Sequence, residues 1–281
     1  MKTILSPVDF SKNAVNAAEY AVALGERFGS TVFLLHVFET PVVFSEMNFT
    51  NIGNIKAAIR ETAEKKMSTL QKKLSNKYKN TIIKTMLAEG SASKEIPACA
   101  AQLGAEMIVM GTTGTSKMER LLMGSTTASV IQHATCPVLC IPKQTEYHQI
   151  EKIVFATDLH EDNIAVASSL AALAKKFDAE IIFVFVDDKH LVHTEEAVSG
   201  MTKKIRSRVK YPKISGYISK NTSVTKGLEY FLKKYPADML AMYTHEKHFP
   251  QSLFNQSMTK IMSHQTSIPL LALKISDRTI L

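Results

Sequence analysis

Three glycines, with hydroxyl residues between and after them, form the pattern in this chain that has the clearest chemistry. Residues 110–114 read Met-Gly-Thr-Thr-Gly, and Gly124, Ser125 and Thr126 follow after nine further residues. Glycine lets the backbone approach a ligand closely, and the first N–H groups of a helix have no partner within it. Because the helix dipole is positive at that end, the pattern predicts a phosphate-binding loop.

The residues on either side of this loop predict the elements that position it. The run 106–110, which is apolar after Glu106, predicts a buried strand before the loop, and residues 125–134 predict a helix after it. In open parallel sheets, ligands bind at the carboxyl ends of the strands where the strand order reverses. We expect the first strand to end at Asp9 and the fourth at Gly111, which would place a carboxylate and the glycine turn in one crevice.

Alternation of strand-like and helical segments predicts an α/β fold. The long segments between the strand-like runs have helical spacing. One example is the apolar stripe from Ala14 to Phe28, which ends at Gly29. Such alternation implies right-handed crossovers and a doubly wound, mainly parallel sheet with helices on both faces. In the first half the strand-like runs are 3–8, 31–38, 81–87, 106–110 and 138–141.

The two halves of the chain are related by an internal duplication. Residues 2–9 match residues 151–158 at an offset of 149, whereas from about Ile82 onward the offset is 132, which places a 17-residue deletion between Val186 and Ile214. We therefore predict two tandem domains, 1–144 and 150–281, each long enough for its own core and joined by a short polar linker.

The second half lacks the glycines of the first. At the offset of 132, Tyr243, Glu246 and Gln256 occupy the positions of Gly111, Gly114 and Gly124. Their side chains would fill the space of the phosphate path. The sequence therefore predicts one phosphate site in the chain.

The distribution of charge along the chain disfavours nucleic acid as a partner. The chain has a formal charge of +8 that divides evenly, because residues 150–281 hold 18 Lys+Arg and 14 Asp+Glu and the rest hold 16 and 12. The densest basic run, 203–210, is typical of a solvated helix side and has no interleaved aromatic residues, which disfavours nucleic acid.

Other compositional features predict a soluble cytoplasmic protein. No apolar run approaches the roughly 20 residues that cross a bilayer, and the N-terminus enters a strand without the pattern of a secretory signal. The three cysteines, Cys99, Cys136 and Cys140, are too few for a disulfide framework, so we expect reduced packing residues.

These residues resemble the universal stress protein family. That family carries a Gly-x2-Gly-x9-Gly-Ser/Thr nucleotide motif after its fourth strand, an Asp at the end of its first strand and a final Pro-Val-Leu-Val-like strand. The chain shows all three, in Pro7-Val-Asp9, in the motif of Gly111, Gly114 and Gly124, and in residues 136–142. The resemblance is specific in the first half and weaker in the second, where only the scaffold pattern remains.

The resemblance implies strand order 3-2-1-4-5 in each domain and one bound adenine nucleotide, ATP or a relative, with or without Mg²⁺. Asp9 would hold the adenine or the ribose and Val37 would pack beside the base, although Asp9 as a helix cap stays open as an alternative. It also implies an internal pseudo-dimer of the two domains. The implied set of nucleotide residues is Pro7, Asp9, Val37, Gly111, Gly114, Gly124, Ser125 and Thr126.

Two functions remain open from the sequence. The first is a nucleotide-dependent sensor or regulator of the stress response that acts on a protein partner. The second is a slow adenine-nucleotide hydrolase of the same fold; the chain has no Gly-x4-Gly-Lys-Ser/Thr loop, and no residue is assigned to catalysis. Two histidine pairs have a spacing that can bind zinc, His190/His193 and His245/His248. Histidines exposed at the surface are the alternative explanation. No metal ligand is predicted.

Overall fold

The computed structural model describes residues 1–40, 49–112, 123–143, 145–157, 163–188, 194–244 and 268–274. Contacts divide the chain into two compact units. The first holds Met1–Met118 and Gly124–Tyr147, and the second holds Glu119–Met123 and His148–Leu281. The assignment of the first unit as nucleotide-binding and of the second as degenerate stays a prediction.

In its described residues, the first unit is a five-stranded parallel sheet with four helices, in strand order β3-β2-β1-β4-β5. In register, Ile4 of β1 lies opposite Met107 of β4. Because β2 lies on one side of β1 and β4 on the other, the strand order reverses between β1 and β4. The elements are β1 (Thr3–Pro7), α1 (Lys12–Phe28), β2 (Thr31–Phe38), α2 (Phe49–Lys77), β3 (Ile82–Glu89), α3 (Ala92–Leu103), β4 (Met107–Gly111), α4 (Ser125–His133) and β5 (Val138–Ile141).

The second unit repeats this order as β8-β7-β6-β9-β10, again with parallel pairing. On β8, a Cβ at Gly216 would meet Thr202 of α6, while the next residue, Tyr217, contacts Phe231 of α7. Since successive strand residues point to opposite faces, helices cover both faces. The predicted fold class is confirmed. Its elements are β6 (Lys152–Thr157), α5 (Asn163–Phe177), β7 (Glu180–Asp187), α6 (Thr194–Val209), β8 (Ile214–Lys220), α7 (Val224–Lys234), β9 (Met239–Thr244) and β10 (Leu270–Lys274).

The length difference between the halves falls mainly in one helix. Helix α6 has 16 residues where α2 has 29, a difference of 13. The connection before it, 188–193, is four residues shorter than 39–48. Together these account for the 17-residue deletion and leave the strands of the two units in register.

The first strand ends two residues earlier than the sequence predicts, at Pro7 and not at Asp9. Phe10 has a φ of +63°, in the left-handed region that a large side chain rarely adopts. This residue turns the chain out of the sheet and into α1, whose first N–H groups are capped by Ser11, which accepts from Ala14 N–H at 3.2 Å. Asp9 therefore lies in the β1–α1 connection.

Candidate functional site

The start of α4 is held against the end of β4 by a short set of hydrogen bonds. Gly124 N–H donates to the Thr112 carbonyl at 2.7 Å. The buried Thr127 hydroxyl donates to the carbonyls of Gly111, at 3.1 Å, and Thr112, at 3.4 Å. These bonds fix the first turn of α4 at the carboxyl edge of the sheet. The sequence alone did not indicate Thr127, because its role depends on contact with β4.

The first turn of α4 provides backbone donors for an anion. The N-cap residue Gly124 makes no side-chain capping bond, and Ala128 N–H is the donor that closes the first helical turn onto the Gly124 carbonyl. The N–H groups of Ser125, Thr126 and Thr127 therefore have no acceptor within the helix. The first turn contains no acidic residue, and the helix dipole adds a partial positive charge. A phosphate group suits this position.

Gly111 of β4 lies against the first turn of α1. A Cβ built there would stand 2.8 Å from Nδ2 and 3.1 Å from Cγ of Asn13, in the first turn of α1. Asn13 is buried, so its side chain has little room to move. The sequence assigned this glycine to the approach of phosphate, and the structure adds a packing reason for it.

The β1–α1 connection carries an exposed carboxylate. Asp9 Oδ1 accepts a hydrogen bond from Ser11 N–H at 2.9 Å. Because Ser11 caps α1, Asp9 orders the connection before the helix and is not itself the N-cap. Its carboxylate lies at the carboxyl edge of β1, next to β4 in the sheet.

The end of β2 contributes apolar surface and a fixed histidine. Val37 is half-buried and paired with Ala88 of β3, and Pro7 is buried at the end of β1. The His36 ring lies 4.6 Å from the Phe10 ring, and its Nδ1–H donates to the Val8 carbonyl at 2.7 Å. His36 thereby supports the β1–α1 connection.

A cavity of about 520 Å³ adjoins Asp9 on the side of α2. Phe10 and His36 form one wall, and Ile55 and Ile59 of α2 contribute to the other. Lys66 Nζ stands 5.3 Å from the centre of the Phe10 ring. The sequence reading did not find this cavity, since α2 is far from Asp9 in sequence.

In the second unit, side chains fill the corresponding edge. Tyr243 takes the place of Gly111, and its ring lies 6.1 Å from that of Phe155, which takes the place of Ser6. Val186, the counterpart of Val37, is buried, and a Cβ on Gly227 of α7 would stand only 2.4 Å from its Cγ1. The helix thus lies directly on the end of β7.

Several predicted residues lie outside the described part of the chain. Among them are Gly114, Glu246 and Gln256, together with both histidine pairs. Within the described ranges, no group of three or more His, Cys, Asp or Glu side chains is placed to hold a metal ion. Those ranges also contain no helix with the length and apolar character needed to cross a membrane.

Comparison with known proteins identifies a consistent set of relatives. A family model described as "Universal stress protein family" matches residues 1–142. A universal stress protein of Methanocaldococcus jannaschii is 33% identical over 145 residues, which cover 50% of this chain and 82% of that protein. Universal stress protein G of Escherichia coli O157:H7 is 32% identical over 146 residues, 50% of this chain and 98% of its own.

A solved structure resembles the chain over nearly its whole length. The crystal structure of a universal stress protein from Archaeoglobus fulgidus covers 98% of this chain and 97% of its own, with a TM-score of 0.75 and 17% identity. At that level of identity the likeness concerns the fold alone. It extends the similarity of fold to the second unit.

Proposed function

Because the chain belongs to the universal stress protein family, we propose that its first unit binds one adenine nucleotide, ATP or a relative. The protein then acts as a nucleotide-dependent sensor or regulator of the stress response. The observation that carries the proposal is the first turn of α4, which Thr127 and Gly124 hold at the end of β4 with its backbone donors unused within the helix.

The phosphates occupy the loop between β4 and α4. Gly111, Gly114 and Gly124 let the backbone approach them, and Ser125 and Thr126 add N–H and hydroxyl donors. Hydrogen bonds to charged oxygens are stronger than neutral ones, so a few donors suffice to hold a phosphate group. A bound Mg²⁺ would neutralise part of the phosphate charge.

The nucleoside lies toward β1 and β2. The exposed Asp9 carboxylate accepts from a ribose hydroxyl or from the adenine amino group, and Val37 packs beside the base. Pro7, at the end of β1, supports this part of the site. The cavity next to Asp9, with Ile55 and Ile59 in its lining, gives the nucleoside end an apolar surface to pack against.

The second unit binds no nucleotide in this proposal. Two contacts support this: the Tyr243 ring lies 6.1 Å from the Phe155 ring, and α7 lies close against Val186. This unit serves as a scaffold and as a surface for a partner. The two units form an internal pseudo-dimer, and the protein works in the cytoplasm, where adenine nucleotides are available.

Ligand analysis and calorimetry test the proposal. Mass spectrometry of the small molecules released from purified protein is expected to find an adenine nucleotide. Titration of stripped protein with ATP is expected to give one site per chain, because only the first unit keeps the glycines. Two equivalent sites, or no binding of any adenine nucleotide, would contradict it.

The same sample separates the sensor from the slow hydrolase. ATP incubated with the protein and Mg²⁺ is expected to remain intact over many binding lifetimes. Release of ADP or AMP that a Gly124→Val variant abolishes would establish hydrolysis at this site. Release that the variant does not affect would indicate a contaminating enzyme.

A further inference from the structure

The second unit carries an aromatic cluster beside its edge strand. In the described part of the unit β8 pairs only with β7, and the side chain of Tyr217 on β8 is 39% exposed. Its ring centre lies 5.6 Å from that of Phe231 and 5.4 Å from that of Tyr235. Phe231 and Tyr235 are stacked at 4.8 Å. Phe231 is buried, so it holds the two tyrosines at the surface.

The exposed side of α7 continues this cluster with lysines and a further tyrosine. Lys226, Tyr230, Lys233 and Lys234 follow one another at i, i+4, i+7 and i+8, which places them on one face, and all four are exposed. Tyr230 is 60% exposed, and Lys234 Nζ stands 5.4 Å from the centre of the Tyr235 ring. The α7 surface consists of Tyr217, Lys226, Tyr230, Lys233, Lys234 and Tyr235.

The α7 surface is positively charged, because α7 carries three lysines and a single acidic residue, Glu229. Residues 195–235 hold ten Lys+Arg and three Asp+Glu. The even division of charge between the halves of the chain conceals this concentration. Exposed cations of α6 extend the positive region along the opposite face of β8, where Arg206 donates to the Ile214 carbonyl. A polyanion complements this surface.

The first unit offers a matched comparison. Its segment 63–103 is also basic, with eight Lys+Arg and three Asp+Glu, so charge alone does not distinguish the two units. The difference lies in α3, where the counterparts of Lys226, Tyr230, Lys233 and Lys234 are Lys94, Ala98, Ala101 and Gln102, and in β3, where Thr85 replaces Tyr217. Exposed aromatic rings among lysines are therefore particular to the second unit.

We propose that the α7 surface binds single-stranded nucleic acid. Bases stack on exposed tyrosine rings without regard to sequence, and lysines beside the rings contact the phosphates between the bases. An acidic peptide would meet the lysines equally well but would make no use of the rings. The aromatic residues of the surface come from β8 and α7, on the face of β8 opposite to α6 and its basic run at 203–210. This site is separate from the nucleotide crevice of the first unit.

Fluorescence anisotropy with the full chain tests stacking. The probe is a labelled oligothymidylate or oligouridylate of about 12 nucleotides, within the range that such surfaces cover. Tyr230→Ala is expected to raise the Kd by about 5- to 150-fold, the effect of losing one stacked base. Tyr230→Phe keeps the ring and is expected to bind like the parent protein.

Salt dependence tests the phosphate contacts. For single strands, log K falls with log salt by about 0.7 for each phosphate neutralised. Lys233→Gln combined with Lys234→Gln is therefore expected to weaken binding and to reduce the slope by about 1.4. Lys94→Gln, at the equivalent position to Lys226 in the first unit, is the control and is expected to change neither quantity.

Three results would overturn the proposal. The first is binding of the oligonucleotide that Tyr230→Ala leaves unchanged while the protein stays folded by circular dichroism. The second is equal binding of an oligoglutamate of the same length, which would identify an acidic-peptide surface. The third is stoichiometric displacement of the oligonucleotide by ATP, which would locate it in the first unit. Failure of ATP binding alone leaves this proposal standing.

Discussion

Two of the motif glycines are expected to fail in different ways when each is replaced by alanine. Gly124 has φ −67° and ψ 152°, which any residue adopts without strain. Gly111 stands against the buried Asn13, where an added Cβ would come within 2.8 Å of Nδ2 and 3.3 Å of the backbone carbonyl oxygen. Gly124→Ala therefore tests the ligand contact, and Gly111→Ala tests the packing of α1 on β4.

The magnitudes follow from these contacts. At Gly111 the added methyl overpacks the α1–β4 contact, which costs about 1–3 kcal/mol of unfolding free energy. At Gly124, alanine restricts the unfolded chain by about 0.4–1 kcal/mol, and its weaker N-cap preference offsets a similar amount. The methyl group of Gly124→Ala would hold the phosphate away from the N–H groups of Ser125 and Thr126. Loss of one such hydrogen bond to a charged phosphate is worth about 1.5–3 kcal/mol, or roughly a 10- to 150-fold rise in Kd.

Urea unfolding and calorimetric titration of ATP measure the two effects side by side. Gly124→Ala is expected to leave the unfolding midpoint within error and to weaken binding. Gly111→Ala is expected to lower the urea midpoint, and in a thermal scan to lower the Tm by roughly 2–4 °C for each kcal/mol lost. If Gly124→Ala destabilises the protein as much as Gly111→Ala does and binds ATP normally, Gly124 is a structural residue and the proposed cradle is wrong.

Three further predictions use other parts of the structure. Thr127→Val is expected to lower the unfolding free energy by about 0.5–1.5 kcal/mol and to weaken ATP binding, whereas Thr127→Ser keeps the donor and both properties; equal losses in the two variants would contradict this. Burial raises the pKa of Cys136 to about 11 and that of Cys140 to about 12. Both thiols should therefore resist a thiol reagent at pH 8 in the folded protein. Unfolded thiols ionise from about pH 8.5, so stability should decline above that pH, and a flat urea midpoint between pH 8 and 10 would refute this. If the two units form the proposed internal pseudo-dimer, small-angle scattering should show one compact particle of the chain mass, and two freely moving lobes would argue against it.

Local sequence patterns were sufficient to predict the fold class of both units. Alternating strand and helix segments predict the parallel sheets, and the offsets of 149 and 132 predict that the second unit repeats the first. The parallel pairing in both units and the shortened α6 agree with those predictions, and the strand order 3-2-1-4-5 is the one that the family resemblance implies. Periodicity and repetition are properties of neighbouring residues, so a single sequence reports them well.

The end of the first strand could not be read in this way. Apolar residues continue through Val8, and the pattern offered no reason for the strand to stop before Asp9. The structure ends it at Pro7 because Phe10 adopts a left-handed conformation and His36 bonds to the Val8 carbonyl. A contact from the neighbouring strand thus decides where Asp9 lies.

The sequence by itself predicts the type of site, since glycines, hydroxyl residues and a helix start lie together in the chain around 111–126. Only the tertiary structure decided how the site is held. The packing of Gly111 on Asn13 joins residues 98 positions apart, and Thr127 reaches back to the carbonyls of β4. The aromatic cluster on the second unit likewise forms only when Tyr217 meets Phe231 and Tyr235. Such contacts depend on which faces the folded sheet and helices bring together, and no local period records them.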